Sequence, residues 1–183
     1  MLADPIEIDD RLRSLHVNDR ARVTTSTFTD VLRQQHGEDI AAVVIHSARI
    51  YPDAPTAGYL DVPREQHVIR RKAVLRTARA RRITTYAQSL IAESRLSEQE
   101  RDAVLRCDEI PLGDLLMVEN LRRQLLHWQV GIGAPYPGGR YLAEACRPGW
   151  PVISRHSLLS TEDHPIALVS EWWPQFNPHA VWH

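Results

Sequence analysis

β-branched runs alternate along this chain with short amphipathic stretches. TSTFTDVLRQQHG reads as a helix. Thr27 stands at the N-cap, Val31 and Leu32 face inward, and Gly37 follows the last turn as a stop signal. IAAVVIHSARI, residues 40–50, has the composition and length of a strand. YPDAPTAGYLDVPRE carries three prolines and a glycine and predicts a loop. EQHVIRRKAVLRTA resumes an extended pattern. It puts Ile69, Arg71, Ala73 and Leu75 on one face and Val68, Arg70, Lys72 and Val74 on the other.

ITTYAQSLIAE predicts a further strand. RLSEQERDAVLRC predicts a helix that opens at Ser97, with Glu100 in capping-box spacing. PLGDLL is a proline-started turn, and LRRQLLHWQVG fits a helix or a strand equally well. Residues 131–149, rich in glycine and proline, predict a long irregular loop or lid. VISRHSLLST and PIALVSEWWP read as two strands joined by the turn EDH.

The tally is five or six strands and two or three helices, not regularly interleaved. It predicts an α+β single domain: an antiparallel sheet with helices on one face rather than a doubly wound parallel sheet. The expected organisation is an N-terminal segment over 1–22, the domain over 23–176 and a tail over 177–183.

Composition narrows the function. The chain has 183 residues, enough for one domain with a sizeable core, with 43% hydrophobic and 25% charged residues. A formal net charge of -1 argues against a general nucleic-acid binder. No apolar run approaches the length of a membrane span, and the acidic start MLADPIEIDD lacks the apolar core of a signal peptide. Cys107 and Cys146 form no CxxC pair and fit a reducing cytoplasm. The histidines show no metal-ligand spacing; His179 and His183, four apart, fall in the tail. Neither a nucleophile elbow nor a glycine-rich phosphate loop is present. The expectation is a cofactor-free, metal-free protein of the cytoplasm.

What stands out is a set of charged residues inside apolar strands: Arg71, Arg155 and Glu171. Each has a plainer reading, as a snorkelling side chain or a strand-end pair. Four stretches together carry a family likeness: STFTDVLRQQHG, RKAVL, AQSLIAESRLSEQERDAVLRCDEIPLGDLL and SRHSLLSTEDHPIALVSEWWP. In order and spacing, from about residue 24 to 174, the chain resembles the chorismate lyase family.

That resemblance implies a six-stranded antiparallel sheet with helices on one face and a buried ligand cavity. It implies a carbon–oxygen lyase that converts chorismate to 4-hydroxybenzoate and pyruvate without a cofactor. Arg71 would hold a carboxylate and Glu171 would approach the ring hydroxyl. Leu112 and Gly113, after Pro111, would form the family's turn, and Phe28 would be an apolar wall. Arg155 is the candidate for the second carboxylate, since arginine grips a carboxylate bidentately and stays charged. Glu171 would act as a base or, protonated beside Trp172 and Trp173, as a donor.

Trp172-Trp173 stands where the family has Phe-Leu, and 131–149 is long for the family; both point toward a changed substrate. Two alternatives therefore stay open. One is a same-fold biosynthetic enzyme acting on a different small carboxylate. The other is a non-catalytic small-molecule-binding domain like the effector domain of GntR-type regulators, for which residues 1–25 are short to form a helix-turn-helix. The expected partner in every case is a small carboxylated molecule, with no nucleic acid and no membrane; the oligomeric state stays open.

Overall fold

The computed structural model describes residues 12–25, 28–106, 109–116, 121–132, 139–142, 149–162 and 164–176. Six strands form one sheet: β1 (Ile40–Ile50), β2 (Val68–Thr77), β3 (Ile83–Ala92), β4 (Arg122–Ile132), β5 (Pro151–Ser160) and β6 (Pro165–Pro174). Their order is β1-β2-β3-β6-β5-β4, and every pairing is antiparallel. Two three-stranded meanders thus meet at the β3–β6 seam. From the central β3 the chain must travel to the far edge to begin β4. It makes that journey through α4 (Glu98–Leu105) and α5 (Leu112–Leu115).

α4 opens with both halves of the capping box: Glu100 N–H donates to Ser97 Oγ at 3.2 Å, and Ser97 N–H donates to Glu100 Oε2 at 2.9 Å. α1 (Val17–Thr24) and α2 (Phe28–His36) precede the sheet. The expected N-cap of α2, Thr27, lies outside the described residues. Its stop signal does not: Gly37 sits at φ +65°, in the left-handed region. Gly37→Ala is expected to lower stability by about 1 kcal/mol, because alanine is strained at this φ. Chemical denaturation would measure it, and an unchanged midpoint would contradict the account.

One expectation needs correction, and one left open is decided. The loop expected over 51–65 contains a helix, α3 (Ala54–Leu60). Asp53 caps it, accepting from Thr56 N–H at 2.9 Å, and a proline falls in the first turn, where the missing N–H costs nothing. LRRQLLHWQVG resolves as strand β4.

The expected alternation of β2 is present: Ile69, Arg71, Ala73 and Leu75 are all buried. This face packs under the helical layer. Phe28 and Leu32 of α2 meet Ala73, Leu75, Ile153 and Trp173. Val104 of α4 and Leu115 and Leu116 at α5 meet Ile69, Leu159 and Val169. The opposite face is covered in part by α6 (Gly139–Leu142), whose Leu142 packs with Val74, Tyr86, Val152 and Trp172. No described helix is long and apolar enough to cross a membrane.

Candidate functional site

Between the inner sheet face and the helical layer lies a cavity of about 230 Å³. Its floor is the centre of the sheet: Arg71, Ala73 and Leu75 from β2, Ala87 and Ser89 from β3, Val169 and Glu171 from β6. Register brings these together, because Arg71 pairs with Ser89, Ala73 with Ala87, and Ala87 with Glu171. Phe28, Thr29 and Asp30 at the start of α2 form one wall. The turn Pro111, Leu112, Gly113 and Asp114 forms the roof. Arg123 closes the β4 side.

Of the residues expected from sequence, Arg71, Glu171, Phe28, Leu112 and Gly113 all line this cavity; Arg155 does not. Arg71 is 3% exposed, and its Nη2 donates to the carbonyl of Ile110 at 2.8 Å. It thereby ties the chain entering the roof to the floor. Ser89, its register partner, places a hydroxyl on the same floor.

Glu171, also 3% exposed, is engaged on Oε2 by two guanidiniums: Arg155 Nε at 2.5 Å and Arg123 Nη1 at 2.9 Å. Burial alone would raise its pKa. The charges of Arg123 and Arg155 more than offset that and hold the carboxyl below its ordinary value. Glu171 is therefore a carboxylate. Of the two expected alternatives, base or protonated donor, the paired guanidiniums disfavour the donor, and the expected influence of the neighbouring indoles is corrected. Trp173 points into the core, 5.5 Å from the Phe28 ring, with its Nε1 donating to Asp19 at 3.1 Å. Trp172 points to the opposite face against Tyr86. Neither lines the cavity.

Arg155 lies wholly inside the protein, at 0% exposure. Beyond Glu171, its Nη1 donates to the carbonyls of Arg22, Val23 (3.2 Å) and Thr25 (3.1 Å), and its guanidinium stacks over the Phe28 ring at 4.4 Å. These carbonyls are the unsatisfied acceptors at the end of α1, so Arg155 serves as their cap. It sits behind the cavity wall with both its Nε and Nη1 occupied. The cation that reaches the cavity from this side is Arg123. Its Nη1 is fixed by Glu171, and its Nε is buried with no hydrogen-bond partner among the described residues. Sequence reading had passed over it.

The two carboxylates at the cavity edge, Asp30 and Asp114, are both engaged outward. Arg33 donates to Asp114 at 2.5 Å, to Asp30 at 2.9 Å and to Asp39 at 2.8 Å. This binds the roof turn to α2 and leaves an interior where guanidiniums outnumber carboxylates. The expected lid fares differently. Residues 133–138 and 143–148 lie outside the described residues, and α6, the described helix between them, packs on the face away from the cavity. Among the described residues no group of histidine, cysteine, aspartate and glutamate could hold a metal.

No protein-family model and no curated protein sequence matches the chain. Solved structures do. PhnF from Mycobacterium smegmatis aligns with a TM-score of 0.65 at 14% identity, over 88% of this chain and 70% of that one. The effector domain of PhnF alone aligns with a TM-score of 0.65 at 15% identity, over 86% of this chain and 95% of that one. A ligand-binding domain assigned to a GntR-family transcriptional regulator from Bordetella bronchiseptica aligns with a TM-score of 0.56 at 15% identity, over 79% of this chain and 91% of that one. The likeness is to a regulator's effector domain and a regulator's ligand-binding domain, and this overturns the expectation of a carbon–oxygen lyase. Nothing in the comparisons supports chorismate or 4-hydroxybenzoate. The chain has the six-stranded, chorismate lyase-like fold in the form that GntR-type effector domains share.

Proposed function

We infer that this domain binds a small anionic metabolite without converting it, as the sensing part of a regulator. The observation that carries the reading is the pairing of Arg71 and Arg123 on one cavity between the sheet and the helical layer, beside the apolar Leu75, Leu112 and Leu159. Anions enter such a space only when a cation and hydrogen bonds replace their water. Arg123 is preoriented by Glu171, and Arg71 by the Ile110 carbonyl. Both are positioned before the ligand arrives, so little side-chain entropy remains to be lost on binding. The volume lies below the ~300–1,000 Å³ of drug-sized pockets. The ligand is accordingly small, with a carboxylate or phosphate at the arginines and an apolar body against Leu75, Leu112 and Leu159.

The same geometry disfavours chemistry at Glu171. A carboxylate with a lowered pKa and two guanidiniums on one oxygen is a weak base and offers no proton. Its role in this reading is to position Arg123.

A panel of small carboxylates and phosphomonoesters, screened by thermal shift and followed by calorimetry, tests the proposal. A binder should be recovered unchanged, and incubation with chorismate should release no pyruvate. Arg71→Ala and Arg123→Ala should each weaken binding by about 10- to 100-fold, the range for losing a charge-assisted contact. Arg71→Lys should also bind poorly, because an ammonium cannot reproduce bidentate geometry. Variants that bind like the parent, or turnover of the ligand, would refute the reading.

A further inference from the structure

A second cavity, of about 190 Å³, lies beneath α1 and α2 at the end of the β3–β6 seam. It shares no lining residue with the first. Asn18 and Arg22 reach it from α1, His36 from α2, Arg82 and Thr84 from the start of β3, and Phe176 from beyond β6. Three of these six are basic residue types.

Arg22 is the unusual member. It is only 8% exposed, and its partners are neutral: Nε donates to Gln35 Oε1 at 2.6 Å, and Nη2 lies 3.5 Å from His36 Nε2. His36 is itself held below the ordinary histidine pKa, first by burial and then by the charges of Arg22 and Arg82. Arg22 makes no ion pair with any described carboxylate. Asp19 lies about one turn earlier on α1 and acts on Arg22 through its charge. Its oxygens are taken instead by Trp173 Nε1 at 3.1 Å and Phe176 N–H at 2.8 Å. Among the described residues the guanidinium is thus buried beside an open space with no carboxylate in ion-pair contact, the charge of Asp19 acting on it only from beyond that range, an arrangement that is costly in isolation. The cost shows in the group itself, whose pKa burial pulls down to about 10.

We propose that this cavity is a second binding site, specific for a small oxyanion group such as a carboxylate or a phosphate, with Arg22 as its buried anchor and Arg82 as its outer cation. An oxyanion there would add, in direct contact, to the charge that Asp19 supplies only at longer range. It would also accept from guanidiniums reaching it from two directions, and such charge-assisted bonds are the strong ones. A neutral or cationic guest gains nothing from Arg22. The space admits a headgroup-sized ligand and no more.

The test is a titration of the full chain with inorganic phosphate and, in parallel, with acetate, at constant ionic strength held with chloride. Backbone amide and arginine Nε–H resonances are followed by NMR. The expected result is saturable binding of one or both anions, with shifts at residues 18, 22, 35–36 and 82–84. Arg82→Ala, at an exposed position, should weaken it by roughly tenfold while the fold is kept. Arg22→Gln should abolish it. If that buried variant unfolds, Arg82→Ala decides alone. Arg123→Ala, in the first cavity, should leave these shifts unchanged. Two results would overturn the proposal. One is a linear response that chloride reproduces. The other is binding that Arg123→Ala removes and Arg82→Ala leaves intact, which would place the anion in the first cavity.

Discussion

Arg155→Ala is expected to destabilise the protein by about 3–5 kcal/mol, the range for breaking one partner out of a buried ion pair. The side chain is wholly buried and joins three parts of the molecule. Its Nε holds Glu171, its Nη1 caps the last carbonyls of α1, and its plane covers Phe28. Truncation leaves the Glu171 carboxylate with Arg123 alone. It also strands carbonyls that lie away from solvent and opens a void under α2. Arg155→Met would restore much of the volume and the contact with the ring but not the donors, so its cost should fall between parent and alanine. Urea unfolding, analysed as a two-state transition, gives both values. An alanine variant with the parent's midpoint would show that Arg155 is not the stitch between α1 and the sheet.

Glu171→Gln is expected to lower stability by about 3 kcal/mol or more near neutral pH, because two buried guanidiniums lose their shared counter-charge. It should also flatten the acid limb of the stability curve. The Glu171 carboxyl is held below its ordinary value of 4.5 in the folded protein. As pH falls, the unfolded chain therefore takes up this proton first. The stabilisation from Glu171 is complete above the unfolded pKa and disappears as pH drops through the lowered folded one. The parent should lose stability steeply below about pH 4.5, and Glu171→Gln less so. Asp19 works in the opposite sense. Burial raises its pKa despite donors from Phe176 and Trp173, so its ionisation disfavours the fold as pH rises. Parallel acid limbs in parent and variant would show that Glu171 does not set the dependence.

The two large effects have a common origin in the Arg123–Glu171–Arg155 row, which crosses β4, β6 and β5. Its inner end fixes α1 and its outer end presents a cation to the cavity. One carboxylate thus serves stability through Arg155 and recognition through Arg123. Variants of Glu171 should weaken both, whereas Arg123→Ala should fall mainly on ligand affinity.

The alternation in RKAVL was enough by itself to put Arg71 on the apolar face of a strand, because strand periodicity is local and strict. Capping-box spacing placed the start of α4 for the same reason, and a turn-forming glycine placed the end of α2. The number of strands and the antiparallel character followed from segment order, and the family resemblance put Phe28, Leu112, Gly113 and Glu171 at the site. Arg123 was beyond reach. Arg122 and Arg123 are adjacent and chemically equal; one pairs with Glu162 at the surface and the other faces the cavity. Counting back in twos from buried Trp128 selects the wrong one. A bulge between Leu125 and His127 shifts the register and turns Arg123 inward. Such a bulge is a compromise between two strands, and neither strand's sequence records it. Arg155 failed differently. Its inward direction was legible, but its partners sit about 130 residues earlier, at the end of α1. Whether a buried arginine waits for a ligand or closes a helix end depends on which carbonyls the chain brings to it. Only the packed tertiary structure decides that.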